Sequence, residues 1–355
     1  MLISPRNSRR LQRKEIEAFT KLERMFRKRA GRCLNPNCDT KEQSISSHHV
    51  SAAHLRYAST DGCVVTFNLP SALINFGKSE PPFGKKSTVS SALNFRGFCS
   101  SCDRDLFVEV DNPENSFSKE IAVRQAYRTF AYQYHELMIT YMAAQRSRRN
   151  MAMAATAFDL LKQDKIAYVT ENIERISARF ARYSNDLLNQ AESVFFQSVD
   201  LELERGPDVP LIFSSTFPVS TNFWFGSNDL FPKVSGNQTD VLGNHPDDPA
   251  ALILLKYGDK YCLSIVGPRS QRIYLEGFWQ SIRLIDVEEL IFHLLRWSCV
   301  CNMGTVISPA VWDSFRSNHP SAFEALEFFA KGVYRGEPFS WRPDLPVPRL
   351  GYIKV

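Results

Sequence analysis

Apolar positions in the N-terminal stretch recur three and four apart, at Ile16, Phe19, Leu22 and Phe26, the spacing of one face of an amphipathic helix. Residues 33–117 lack that period. They hold turn signals and short apolar runs instead, with Asp61-Gly62 reading as a turn, Cys63–Phe67 as a strand, and the Ser-, Gly-, Pro- and Lys-rich stretch 71–91 as an inserted loop. Asp103 to Val108 reads as a short helix. From Ser118 the helical period returns. Val123, Ala126, Tyr127, Phe130, Tyr134, Leu137, Met138 and Tyr141 share one face, and Ile173, Ile176, Phe180, Tyr183, Leu187, Ala191 and Val194 share another. Two such helices suit a hairpin or a short coiled-coil dimer. Gly206-Pro207 ends this region. Strand-like runs follow at Leu211–Phe217, Asn222–Phe225, Leu252–Tyr257, Tyr261–Val266 and Arg272–Glu276, then helices at Val287–Trp297, Pro309–Phe315 and Ser321–Ala330. The pattern predicts an α+β protein in four parts: a basic helix (1–32), a small cysteine-bearing module (33–117), a helical connector (118–202) and a C-terminal α+β domain (203–355).

Composition narrows the class. The 355 residues are 44% hydrophobic and 23% charged, which suits folded domains and excludes a disordered, collagen-like or disulfide-miniprotein chain. No apolar run approaches the roughly 18 residues of a membrane span, and no secretory signal follows the N-terminus, so the expectation is a soluble cytoplasmic protein. The formal charge of +5 is unevenly placed: residues 1–32 carry eleven Lys/Arg against three Glu, leaving the remainder slightly acidic. Arg9, Arg10, Arg13, Lys14, Arg27, Lys28 and Arg29 belong to this arm and are candidate contacts to nucleic-acid phosphates, DNA before RNA.

Four of the eight cysteines form two close pairs, Cys33-x4-Cys38 and Cys99-x2-Cys102. In a reducing compartment such pairs read as metal ligands rather than disulfides, and four thiolates on two short knuckles suit tetrahedral, structural Zn²⁺. Between the knuckles stands Ser46-Ser47-His48-His49-Val50-Ser51, with Asn94 five residues before the third cysteine and Asp103 directly after the fourth.

These residues resemble the zinc-bearing branch of the HNH (ββα-metal) endonucleases, over about residues 33–108. The resemblance implies a treble-clef zinc module in which His49 is the general base, His48 and Asp103 hold a catalytic Mg²⁺ or Mn²⁺, and Asn94 braces the loop. A one-residue shift of register would make His48 the base. Imidazole suits the removal of a proton from water near neutral pH, and a hard divalent cation suits a phosphodiester's oxygens. The sequence departs from the family pattern in four places: the first knuckle has four intervening residues where two are more common, forty-four residues separate His49 from Asn94, no proline follows the His pair, and Asp103 replaces a histidine.

Three functions follow as expectations. The first is a metal-dependent endonuclease acting on DNA, a kind of protein met in bacterial defence and mobile elements. The second is a non-catalytic zinc-finger module binding nucleic acid or protein. The third is a scaffold that pairs with a second copy or another protein through the 118–202 helices or the C-terminal domain. His54, the His135-Glu136 pair and Arg146, Arg148 and Arg149 read as helix residues, and Cys299 and Cys301 as core.

Overall fold

The computed structural model describes residues 18–19, 21–29, 31–40, 42–66, 84–148, 160–201, 211–217, 249–283, 285, 287–301 and 304–335. Arg9, Arg10, Arg13, Lys14 and the run Asn222–Phe225 lie outside them.

Helical residues 18–19 and 21–28 (α1) place Phe19 and Phe26 against Ile139, Ala143 and Ala144, as the apolar period predicts. The cysteine-bearing stretch then forms β1 (Ser47–His48), α2 (Ala52–Tyr57), β2 (Cys63–Thr66), β3 (Lys85–Thr88), β4 (Asn94–Phe95) and α3 (Ser100–Phe107). Ser51 caps α2 by accepting a hydrogen bond from the His54 backbone N–H. Strand β1 pairs antiparallel with β4, setting Ser47 opposite Phe95 and His48 opposite Asn94.

Two 30-residue helices follow, α4 (Lys119–Arg148) and α5 (Leu160–Asn189). They pack as an antiparallel hairpin within the chain. Tyr134 stacks on Phe180 at 4.1 Å, Phe130 meets Tyr183 edge-on at 5.0 Å, and Leu137 sits with Ile173 and Ile176.

The rest comprises β5 (Val194–Leu201), β6 (Leu211–Phe217), β7 (Ala250–Tyr257), β8 (Lys260–Pro268), α6 (Arg272–Arg283), α7 (Val287–Cys301), β9 (Thr305–Ile307), α8 (Pro309–Asn318) and α9 (Pro320–Arg335). One antiparallel sheet runs β3-β2-β9-β6-β7-β8-β5. Its strands come from both the stretch read as the zinc module and the stretch read as the C-terminal domain, because β2 pairs with β9. Helices cover both faces. Ser214 and Thr216 of β6 face α4, bonded to Gln125 and Gln133, while Phe217 faces α6 through Phe278 at 5.0 Å. Double coverage explains why β6 to β8 read as nearly continuous apolar runs rather than the alternation of a half-solvated antiparallel sheet.

Several expected elements change. Arg272–Glu276 is not a strand but the first turn of α6. The deciding pattern is longer than five residues, since Leu275, Phe278, Trp279 and Ile282 make a buried helical stripe while Ile273 and Tyr274 face solvent. The second long helix stops at Asn189, and Val194 instead opens β5. The inserted loop contains β3, a polar edge strand of Lys85 and Lys86. Strand β9, of three residues, follows Gly304, whose φ of +67° only glycine adopts without strain.

Candidate metal centre and its surroundings

The two knuckles meet. The Sγ atoms of Cys33, Cys38, Cys99 and Cys102 lie within 4.8 Å of one another and could hold a metal ion. Local hydrogen bonds dictate the convergence. Cys38 N–H bonds to the Asn35 carbonyl at 3.1 Å, tightening the first knuckle, and Leu34 N–H bonds to the Gly97 carbonyl at 2.7 Å, tying it to the second. The Asn35 amide donates to Cys102 Sγ at 3.2 Å and the Thr40 hydroxyl to Cys99 Sγ at 3.5 Å. Tyr127 of α4 holds the Leu34 carbonyl at 3.2 Å from behind. Burial pushes the Cys33 thiol up to about 11 and raises Cys102 as well. Burial also acts to raise Cys99, but donors from Ser101, Thr40 and the Cys102 backbone outweigh it and bring that thiol down to about 6. Four such groups together ask for a cation, and an all-thiolate set suits zinc.

The residues expected to act on a phosphodiester separate into two environments. His48 is half-buried, with Nε2–H donating to the Val89 carbonyl at 3.2 Å. Asp103, on α3, is half-buried beside Ser47 and close enough for its charge to act on His48. Asn94 is exposed and donates to the Ser90 carbonyl at 2.6 Å, which closes the turn ahead of β4. His48 and Asn94, paired across β1 and β4, lie on one side of that ribbon.

His49 points the other way. Its side chain is 0% exposed and stacks on Tyr132 of α4 at 4.5 Å with 13° between the rings. Neither ring nitrogen has a hydrogen-bond partner among the described residues. Any Cβ at position 304 would collide with this ring and with the Ser214 carbonyl, so Gly304 closes the chamber from the sheet side. Burial, with the Arg128 charge adding to it, pushes His49 down to about 3. Its carbonyl is held by Gln125, which also reaches Ser214 of β6. The expected general base is therefore fully buried, between the ribbon, α4 and β9.

Sequence reasoning missed the residues of α4 that organise this region. Arg128 is 1% exposed, grips Asp111 with both Nη atoms at 2.6 and 3.1 Å, and lies over the Phe107 ring at 3.9 Å. His54 donates to the Val110 carbonyl at 3.0 Å, one residue from Asp111. One signal was available. Gln125, Arg128, Thr129 and Gln133 interrupt an otherwise apolar helix face, and buried polar residues require partners.

The cations of α1 divide as well. Arg27 is engaged by Glu136 at 2.5 Å, whereas Lys21, Arg24, Lys28 and Arg29 are exposed, and so is Arg32 beside Cys33. Arg96 donates to the Ser44 carbonyl at 3.3 Å, and Ser44 is bonded to Gly31, so the end of α1 is tied to the knuckle ribbon. No helix of the described residues is long and apolar enough to cross a membrane. Comparison with protein-family models, with curated proteins and with solved structures found no match.

Proposed function

We propose that the protein binds nucleic acid through a zinc-stapled ribbon and the basic helix docked beside it, and that this module does not cut what it binds. The observation that carries the reading is the exposed row Lys21, Arg24 and Lys28, continued by Arg29 and Arg32 at the metal centre, on a helix whose other face is fixed to α4. Cations three and four apart on a rigid helix meet a phosphate backbone without first being ordered, and each phosphate neutralised releases a counterion. Cys33, Cys38, Cys99 and Cys102 would hold the zinc, whose work is to keep Arg32 and the ribbon in register with α1; it supplies no chemistry. Sealing of His49 favours binding over hydrolysis, because a base must reach the attacking water.

A second reading is favoured by one observation: the order ribbon then helix, with His48 opposite Asn94 and Asp103 on α3, is the order the endonuclease resemblance implies. In that reading His48, not His49, is the base.

Fluorescence anisotropy with a labelled DNA duplex tests the first reading. Replacing Lys21, Arg24 and Lys28 together by Glu should weaken binding by at least about 100-fold at low salt, three lost phosphate contacts at ~1 kcal/mol or more each. Unchanged affinity in that variant, with zinc content intact, would remove α1 from the interface and the reading with it.

A further inference from the structure

The four sulfurs of the metal centre are not equivalent. Cys99 is fully buried, and Cys33 and Cys102 pack against the hydrophobic core. Cys38 instead lies partly exposed in a loop whose Pro36, Asn37, Asp39 and Thr40 all face solvent. An oxidant arriving from solution meets the Cys38 sulfur first, and oxidation of a thiolate follows its exposure. Cys38 Sγ stands 3.7 Å from Cys99 Sγ; a disulfide is about 2 Å long, so an approach of about 1.7 Å closes the bond, within reach of an exposed loop. The Thr40 hydroxyl sits between the two, 3.3 Å from Cys38 Sγ and 3.5 Å from Cys99 Sγ. The Cys102 sulfur is placed otherwise. It accepts the Asn35 amide at 3.2 Å and rides on α3.

We infer that Cys38 and Cys99 are a reversible oxidation site, closed to a disulfide by a peroxide and reopened by a thiol, and that closing it empties the metal centre. The Cys38 thiolate attacks one peroxide oxygen; the O–O bond breaks, hydroxide leaves and Cys38 carries a sulfenic acid. The Cys99 thiolate then attacks the Cys38 sulfur, forming the S–S bond, breaking the S–O bond and releasing a second hydroxide. Both hydroxides take up protons to become water, and the two electrons lost by the sulfurs are those that reduce the peroxide. Cys33 and Cys102 are then the remaining ligands, too few for a tetrahedral site, so the ion is released. The disulfide joins the same two knuckles, which keeps the Leu34 N–H on the Gly97 carbonyl and the Ile45 N–H on the Phe98 carbonyl. A thiol and fresh zinc can therefore restore the centre.

This inference goes beyond the binding reading and does not depend on it, since it concerns the four cysteines whatever the module binds. The test titrates zinc-loaded, full-length protein with hydrogen peroxide, follows zinc release with a chromogenic chelator and maps disulfides by mass spectrometry of unreduced digests. One zinc should leave for each Cys38–Cys99 disulfide formed, and dithiothreitol with added zinc should reverse both. Cys38→Asp offers zinc a carboxylate that peroxide does not oxidise; it should keep its zinc and slow release by about tenfold or more. Should that variant bind no zinc, the disulfide map of the wild type still decides. A Cys99–Cys102 disulfide, or one through Cys33, would overturn the inference. So would zinc release without any disulfide, or release from Cys38→Asp as fast as from the wild type.

Discussion

Acid should unfold this protein through its buried histidines, and the size of the effect follows from where they sit. His49 is held down to about 3 and His54 to about 4, from an ordinary 6.5, in both cases chiefly by burial. A base whose folded pKa is depressed binds its proton more readily when the chain unfolds. Its contribution is therefore complete above pH ~6.5 and is lost as pH falls from there towards the folded value. At about 1.4 kcal/mol per pH unit, each ring costs folding about 2 kcal/mol between pH 7 and pH 5, and the two together about 4. Urea denaturation at pH 7, 6 and 5 measures this. Other groups titrate in the same window, the metal-binding thiols among them, so the comparison that isolates His49 is the pH 7-to-5 loss in the wild type against that in His49→Phe. A phenyl ring keeps the stack on Tyr132, removes two nitrogens that lack partners among the described residues, and cannot titrate. The variant should show a loss smaller by about 2 kcal/mol. An identical loss in both proteins would mean that His49 takes up its proton while folded, as an open catalytic base does, and would refute its sealing.

Three further outcomes are expected. Gly304→Ala puts a methyl group against the His49 ring and the Ser214 carbonyl at a φ of +67°, and should cost about 3 kcal/mol or more in thermal or urea unfolding. Duplex affinity should fall with salt at a log–log slope of at least about −4.5, from the five exposed cations Lys21, Arg24, Lys28, Arg29 and Arg32 at ~0.9 each, and Glu136→Gln, which frees Arg27, should steepen it by about 0.9. Chelation should release one zinc per chain and lower the Tm, by about 4 kcal/mol of stability where free zinc had stood a thousandfold above its Kd, with hydrogen exchange rising first at the β1–β4 ribbon.

Elements with long periods were legible in the sequence; those defined by their partners were not. Helices α4 and α7 to α9 and strands β6 to β8 announce themselves through six or more residues of consistent apolar spacing. Strand β9 has three residues and exists because β2 and β6 flank it, and β3 is a polar strand visible only through its pairing with β2. The four cysteines were readable because two close thiol pairs at knuckle spacing suit one tetrahedral metal site, and their Sγ atoms do converge. The adjacent histidines were the opposite case. Successive residues of a strand face opposite sides, so the pair His48-His49 splits between an open side and the core, and nothing local says which member goes inward. That choice is made by Tyr132 and Gly304, 83 and 255 positions further along the chain.

The most direct test of the central claim is to incubate zinc-loaded protein with supercoiled plasmid in Mg²⁺, Mn²⁺ or Ni²⁺ and resolve the product before and after deproteinisation. Retarded plasmid that returns fully supercoiled once the protein is removed, in every metal, is the predicted result. Metal-dependent nicking that disappears in His48→Ala would contradict it and establish the open side of the ribbon as a nuclease.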